Sequence, residues 1–121
     1  DNSDVWIPTL QHIAKEGRIF VIGLTSYIRG SDVPRNLSGA NDIYGQDDDF
    51  LSKGNTTIVA PGGKIIKGPL IGKAGVVSES LDLDMITAGR RIFDPSGHYS
   101  RPDVVSLELH DKVKGLRLDI K

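Results

Sequence analysis

The chain has 121 residues, of which 38% are hydrophobic and 26% charged, and a formal net charge of -1 at pH 7. That length permits one domain burying roughly 65% of its unfolded surface, and the composition excludes disorder and fibrous repeats. Scattered Lys and Arg exclude an electrostatic footprint for nucleic acid or acidic lipid, and the lack of cysteine excludes a thiolate metal site or a cysteine nucleophile within these residues.

In chain order, "DVWIPTLQHIAKEGR" places Trp6, Leu10, Ile13 and Ala14 on one helical stripe, which predicts a helix over about residues 5–16. Asp4 is the expected cap, Pro8 falls near the first turn, and Gly17 supplies the stop. "RIFVIGLTS" follows as a continuous apolar run suited to a strand buried on both faces. It is far shorter than the roughly 20 residues that span a bilayer, and the acidic start is unlike a signal peptide. Residues 27–55 are polar and show little periodicity, so one long loop is expected there.

"TTIVA", "PGGK" and "IIKG" read as a β-hairpin, because the Pro-Gly-Gly centre supplies the positive φ that a tight reversal needs. "AGVVSESLDL" alternates apolar and polar residues and reads as a further strand. Asp82 or Asp84 caps a helix over "MITAGRRIF", which Asp94-Pro95 ends. "VVSLELH" alternates as a last strand, and residues 111–121 form an alternating polar tail. The order is helix, strand, loop, hairpin, strand, helix, strand, a mixed α/β (α+β) arrangement with no internal repeat.

Few side chains group as chemistry requires. His98 has Arg101 and Asp103 beside it, as an acid/base site would need, but no nucleophile signature accompanies it. The same residues serve as a structured corner: Gly97 turns the chain, Arg101 bonds carboxylates or carbonyls, and Pro102 opens the last strand. Asp47, Asp48 and Asp49 cluster oxygens but lack the alternating spacing and terminal glutamate of a calcium loop. "PGGK" is not followed by the helix of a phosphate-binding loop, and His12 and His110 stand apart from any metal-ligand spacing. The sequons at Asn36 and Asn55 matter only in a secreted protein.

Together, "HIAKEGRIFVI", "NTTIVAPGGKIIKGPL", "GVVSESLDLDMI" and "FDPSGHYSRPDV" resemble the C-terminal part of the nitrilases, a branch of the carbon-nitrogen hydrolase family. The resemblance is collinear from about Asp4 to Leu109, and the Gly-His-Tyr-x-Arg-Pro-Asp run is its most specific portion. It implies the C-terminal half of a four-layer α-β-β-α sandwich, with residues 1–121 as one portion of a single domain. It also implies hydrolysis of nitriles by a Glu, Lys and Cys set lying before these residues, so no catalytic residue is carried onto this chain.

What the resemblance assigns here is supporting structure. Trp6, Leu10 and Ile13 match a helix that packs against a neighbouring subunit of a homo-oligomer. Thr25, Ser26 and Tyr27 border the substrate pocket, and His98, Tyr99, Arg101, Pro102 and Asp103 form an architectural motif that positions the last strand. No cofactor or metal is implied, the partner is a small-molecule nitrile, and the compartment expected by default is the cytoplasm. Many nitrilases have Asn-Gln at Thr25-Ser26 and Gly-Gly at Gly54-Asn55, so these departures bear on substrate preference. Two other readings accompany this one: a cyanide hydratase of the same branch, which stops at the amide, and a truncated, non-catalytic subunit-interaction module.

Overall fold

The computed structural model describes residues 3–39, 42 and 49–106. The expected strand beyond Ser106 and the tail 111–121 lie outside the described residues. Helix α1 spans Ser3–Gly17, two residues longer at its start than the apolar spacing implies. Asp4 therefore sits inside the first turn, where its carboxylate complements the helix dipole, and Pro8 falls further inside the helix. Gly17 is the last helical residue rather than the left-handed one. Arg18 takes that conformation, with φ 51, and the Ile19 N–H closes the end on the Ala14 carbonyl at 3.3 Å.

Three strands make one antiparallel sheet in the order β1 (Val21–Gly23), β4 (Thr56–Val59) and β5 (Ile65–Leu70). Val21 pairs with Val59 and Gly23 with Thr57. The hairpin joining β4 to β5 turns at Pro61-Gly62-Gly63, whose glycines have φ of 112 and 91, and the Ala60 N–H donates to the Lys64 carbonyl at 2.8 Å. Gln11 Nε2 of α1 donates to the Gly63 carbonyl at 2.8 Å, so the helix holds the turn as well as the sheet.

The core lies between α1 and this sheet. Leu10, Ala14 and Val59 are buried, with Trp6, Val21 and Ile65 packed around them. Gly23 is required at its position, because a Cβ there would collide with Leu10 and lie 3.1 Å from the Trp6 ring. Of the helical stripe, Ile13 stays outside, 45% exposed. Leu10 is thus committed to the packing between α1 and the sheet, and of Trp6, Leu10 and Ile13 only Ile13 faces outward.

The second face of the sheet is only partly covered by the described residues: Ile58 is buried there, but its cross-strand neighbour Ile22 is not. Ile22 is 62% exposed and Leu24 79%, which overturns the expectation of a strand buried on both faces. The run is apolar on both sides, but α1 covers only one of them. An apolar sheet face of this kind favours association. Leu24→Lys is expected to raise the soluble fraction of the 121-residue chain without lowering its melting temperature; centrifugation and a thermal melt check both.

The stretch read as a long loop carries strands at its two ends. Strand β2 (Tyr27–Arg29) pairs antiparallel with β3 (Phe50–Lys53), and a 3-10 turn spans Gly30–Asp32 between them. Pairing across more than twenty residues leaves no periodic trace in so polar a sequence, which is why it escaped the pattern. Conversely, the alternation in "AGVVSESLDL" produces no strand: residues 71–83 run irregularly beside the hairpin, tied to it by the Lys67–Glu79 ion pair at 3.5 Å. Alternation marks a two-faced segment, but a strand also needs a neighbour to bond. Helix α2 (Asp84–Ile92) forms as expected. Asp82 Oδ1 accepts the Asp84 N–H at 3.0 Å, and Arg90 and Arg91 complement its far end.

Candidate functional site

A groove of ≈ 470 Å³ opens on the uncovered sheet face. Its floor comes from β1 and β4 through Ile22 and Ile58, and its wall from Leu70, Val76 and Val77. Polar groups reach it from the link between β1 and β2. Thr25 lines it, the Thr25 N–H donates to Thr56 Oγ1 at 3.2 Å, and the Thr25 hydroxyl is buried with no hydrogen-bond partner. Tyr27 lines it too, with its ring edge against Phe50 at 5.9 Å.

Ser26 does not line the groove. It is exposed in the link before β2, and its carbonyl accepts the Ser52 hydroxyl at 2.6 Å. Of the three residues expected at a pocket border, the structure brings two to the groove. Lys73 also lines it, although no motif or spacing marks that residue. Asn55, next to β4, is 4% exposed; its carbonyl accepts Trp6 Nε1 at 3.2 Å, and its side-chain Oδ1 has no partner.

The His98 stretch lies on consecutive turns after α2. The Gly97 and Tyr99 N–H groups both donate to the Asp94 carbonyl, at 3.2 and 3.1 Å. His98 Nδ1 is 3.9 Å from Asp94 Oδ2, and its ring stands 4.5 Å from Tyr99, which in turn meets Phe93 at 5.5 Å. The Arg18 guanidinium lies 5.3 Å from the centre of the Phe93 ring, linking the end of α1 to this corner. Among the described residues no serine or threonine hydroxyl is hydrogen-bonded to His98, and Ser96 Oγ donates to Asp94 Oδ1 at 3.4 Å instead; the contacts are those of a corner that turns the chain.

Arg101 holds Asp103 through two hydrogen bonds of 2.7 and 2.6 Å, and Pro102 is exposed between them. This fork keeps the Asp103 carboxyl below its ordinary 3.8 and raises the Arg101 guanidinium. Because the folded value is depressed, any stabilisation is present above the unfolded value and is lost as pH falls through the folded one. In full solvent it is small. An NMR titration of the Asp103 carboxyl carbon is expected to place its midpoint below 3.8, and Arg101→Gln should return it toward that value.

Among the described residues no group of three or more His, Cys, Asp or Glu could hold a metal. Asp47 and Asp48 lie outside them, and His12 is exposed on α1. No described helix is long and apolar enough to cross a membrane.

A helix on one face of an antiparallel sheet, with an apolar groove on the other, is a partial α/β fold whose second layer is not supplied by the described residues. Comparison with known proteins gives that fold a family. No family model matches the chain. A nitrilase of Bradyrhizobium diazoefficiens is 37% identical over 114 residues, covering 94% of this chain and 35% of that protein. An arylacetonitrilase of Trametes versicolor is 35% identical over 111 residues, covering 92% and 35%. An aliphatic nitrilase of Sinorhizobium fredii is 36% identical over 114 residues, covering 94% and 36%. Over nearly its whole length the chain is similar to these nitrilases, and its mixed helix and antiparallel sheet agree with a C-terminal part of their α/β fold. It spans about a third of the length of the curated relatives it matches.

Proposed function

We propose that this chain is the C-terminal part of a nitrilase-type hydrolase that converts nitriles to carboxylic acids and ammonia. The observation that carries this reading is 37% identity to a nitrilase across 94% of the chain. The chain contains no cysteine, so the reading assigns the nucleophile, with its Glu and Lys partners, to residues beyond these 121. There a thiolate adds to the nitrile carbon and gives a thioimidate, and the lysine ammonium offsets the charge developing on nitrogen. One water then releases ammonia and leaves a thioester, and a second frees the acid and the thiol.

The described residues contribute a scaffold and one wall of the pocket. Thr25 and Tyr27 border the groove, and the open face carrying Ile22 and Leu24 receives the second sheet of an α-β-β-α sandwich. The outer side of α1, where Ile13 is exposed, is the surface offered to a neighbouring subunit. The test is product analysis of the nitrilase-length protein that carries this chain. Acid and ammonia from an aromatic nitrile support the proposal. Formamide from cyanide moves the protein to the cyanide hydratases, and no turnover of either substrate sinks the hydrolase reading.

The exposed Ile13 on the outer side of α1 favours a second reading, in which these residues serve as a non-catalytic subunit-interaction module. That reading requires the 121-residue chain to co-purify with a nitrilase-length partner; a chain that shows no association at micromolar concentration contradicts it.

A further inference from the structure

Two strand pairs of the fold are pieces of one ribbon. Val21 faces Val59 and Gly23 faces Thr57 in the first pair, while Tyr27 faces Lys53 and Ile28 faces Ser52 in the second. Tyr27 lies as many residues beyond Gly23 as Lys53 lies before Thr57, so the register runs unchanged from one pair into the next. The backbone ladder is nevertheless interrupted between them, at residues 24–26 on one side and 54–55 on the other. Gly54 turns there with φ 76, and a Cβ on it would stand 3.2 Å from the Leu70 carbonyl oxygen.

An unbroken ladder would set Thr25 opposite Asn55. Instead the Asn55 carbonyl accepts Trp6 Nε1 at 3.2 Å and the Thr57 hydroxyl at 3.0 Å. Side chains take over the crossing. Thr56 Oγ1 accepts the Thr25 N–H at 3.2 Å and donates to the Thr25 carbonyl at 3.5 Å, and Ser52 Oγ donates to the Ser26 carbonyl at 2.6 Å. A hydroxyl can fill this place because it donates and accepts at once, the two functions that a backbone rung combines. The backbone of Thr56 pairs with Leu70 of β5, so the hydroxyl is held by the main sheet while it reaches the strand that leaves it.

We propose that Thr56 is a positioning residue for the pocket border. Its hydroxyl replaces the lost rung at Thr25, fixes the angle at which β2 leaves β1, and so sets the placement of Thr25 and Tyr27. This rests on the nitrilase reading, in which those two residues border the substrate pocket. Thr56 acts through Thr25 and not on the substrate.

The test has an exchange arm and a kinetic arm. In the first, amide hydrogen exchange is followed by NMR in the 121-residue chain for Thr56→Val, which keeps the shape of the side chain, and Thr56→Ser, which keeps the hydroxyl. Thr56→Val should speed exchange at Thr25 and across β2 and β3 about tenfold, while the amides of β5 keep their rates. Thr56→Ser should leave both sets within about twofold of the parent chain. No acceleration in Thr56→Val, equal acceleration in both sets, or equal effects of the two variants overturns the proposal.

The second arm keeps the question answerable if the short chain associates with itself. In the nitrilase-length protein, Thr56→Val should raise KM for benzonitrile about fivefold with kcat within about twofold, and Thr56→Ser should keep the parent KM. An unchanged KM in Thr56→Val, or a KM equally raised in Thr56→Ser, overturns the positioning role. Exchange needs no turnover, so a longer protein without activity would sink the proposed function alone, whereas uniform exchange would sink only the role of Thr56.

Discussion

Leu10→Ala is expected to destabilise the fold by about 2–5 kcal/mol, the range for truncating a buried leucine without collapse of the cavity. Leu10 is 5% exposed and joins Ala14 and Val59, the buried centre of the packing between α1 and the sheet. The neighbours have little freedom to fill the space. Val59 is fixed in the middle strand, and Gly23, directly under the leucine, has no side chain to offer. Ile13→Ala on the same helix should change stability by no more than about 0.5 kcal/mol, since Ile13 is 45% exposed. Urea denaturation of both variants, monitored on Trp6 fluorescence, separates them. Equal losses would show that α1 packs through a different face.

The second large effect concerns chemistry that the proposed function places outside this chain. Replacing the nucleophilic cysteine of the nitrilase-length protein by alanine should lower turnover by about 10⁴-fold or more, because the covalent route is lost as a unit. Replacing His98 by alanine should leave turnover within about tenfold, through altered positioning of the corner and without loss of a proton-transfer group, a step worth about 10²–10⁴-fold. Ammonia release measured across pH distinguishes the two roles. A general base would change the shape of the pH profile, whereas a corner residue changes only its height or the thermal stability.

Much of the architecture is written in local sequence. The spacing of Trp6, Leu10 and Ala14 specifies α1 because each turn adds one residue to the buried stripe, and Pro61-Gly62-Gly63 specifies the hairpin through its two positive-φ glycines. Helix α2 is equally legible, from Asp82 at its start to Asp94-Pro95 beyond its end. What is not legible is whatever depends on a distant partner. The pairing of β2 with β3, the left-handed Arg18 standing on Phe93, and the absence of a strand in residues 71–83 are all decided by tertiary neighbours.

The groove divides in the same way. Thr25 and Tyr27 line the groove, but no spacing rule sets an isolated threonine and tyrosine apart in a sequence. Lys73 enters through the path of the irregular segment 71–83, which no local pattern specifies. The polar crowd around His98 shows that a dense local sequence need not mean a reaction. Asp94 receives two backbone N–H groups on its carbonyl, Arg101 grips Asp103, and the aromatic rings stack on one another, so each group is engaged in holding the chain.

The most direct test of the central claim compares the 121-residue chain with the nitrilase-length protein that contains it, side by side, for ammonia release from one aromatic nitrile. The account predicts ammonia from the longer protein and none above background from the 121 residues alone. Ammonia from the short chain, or its absence from an intact and folded longer protein, would contradict it.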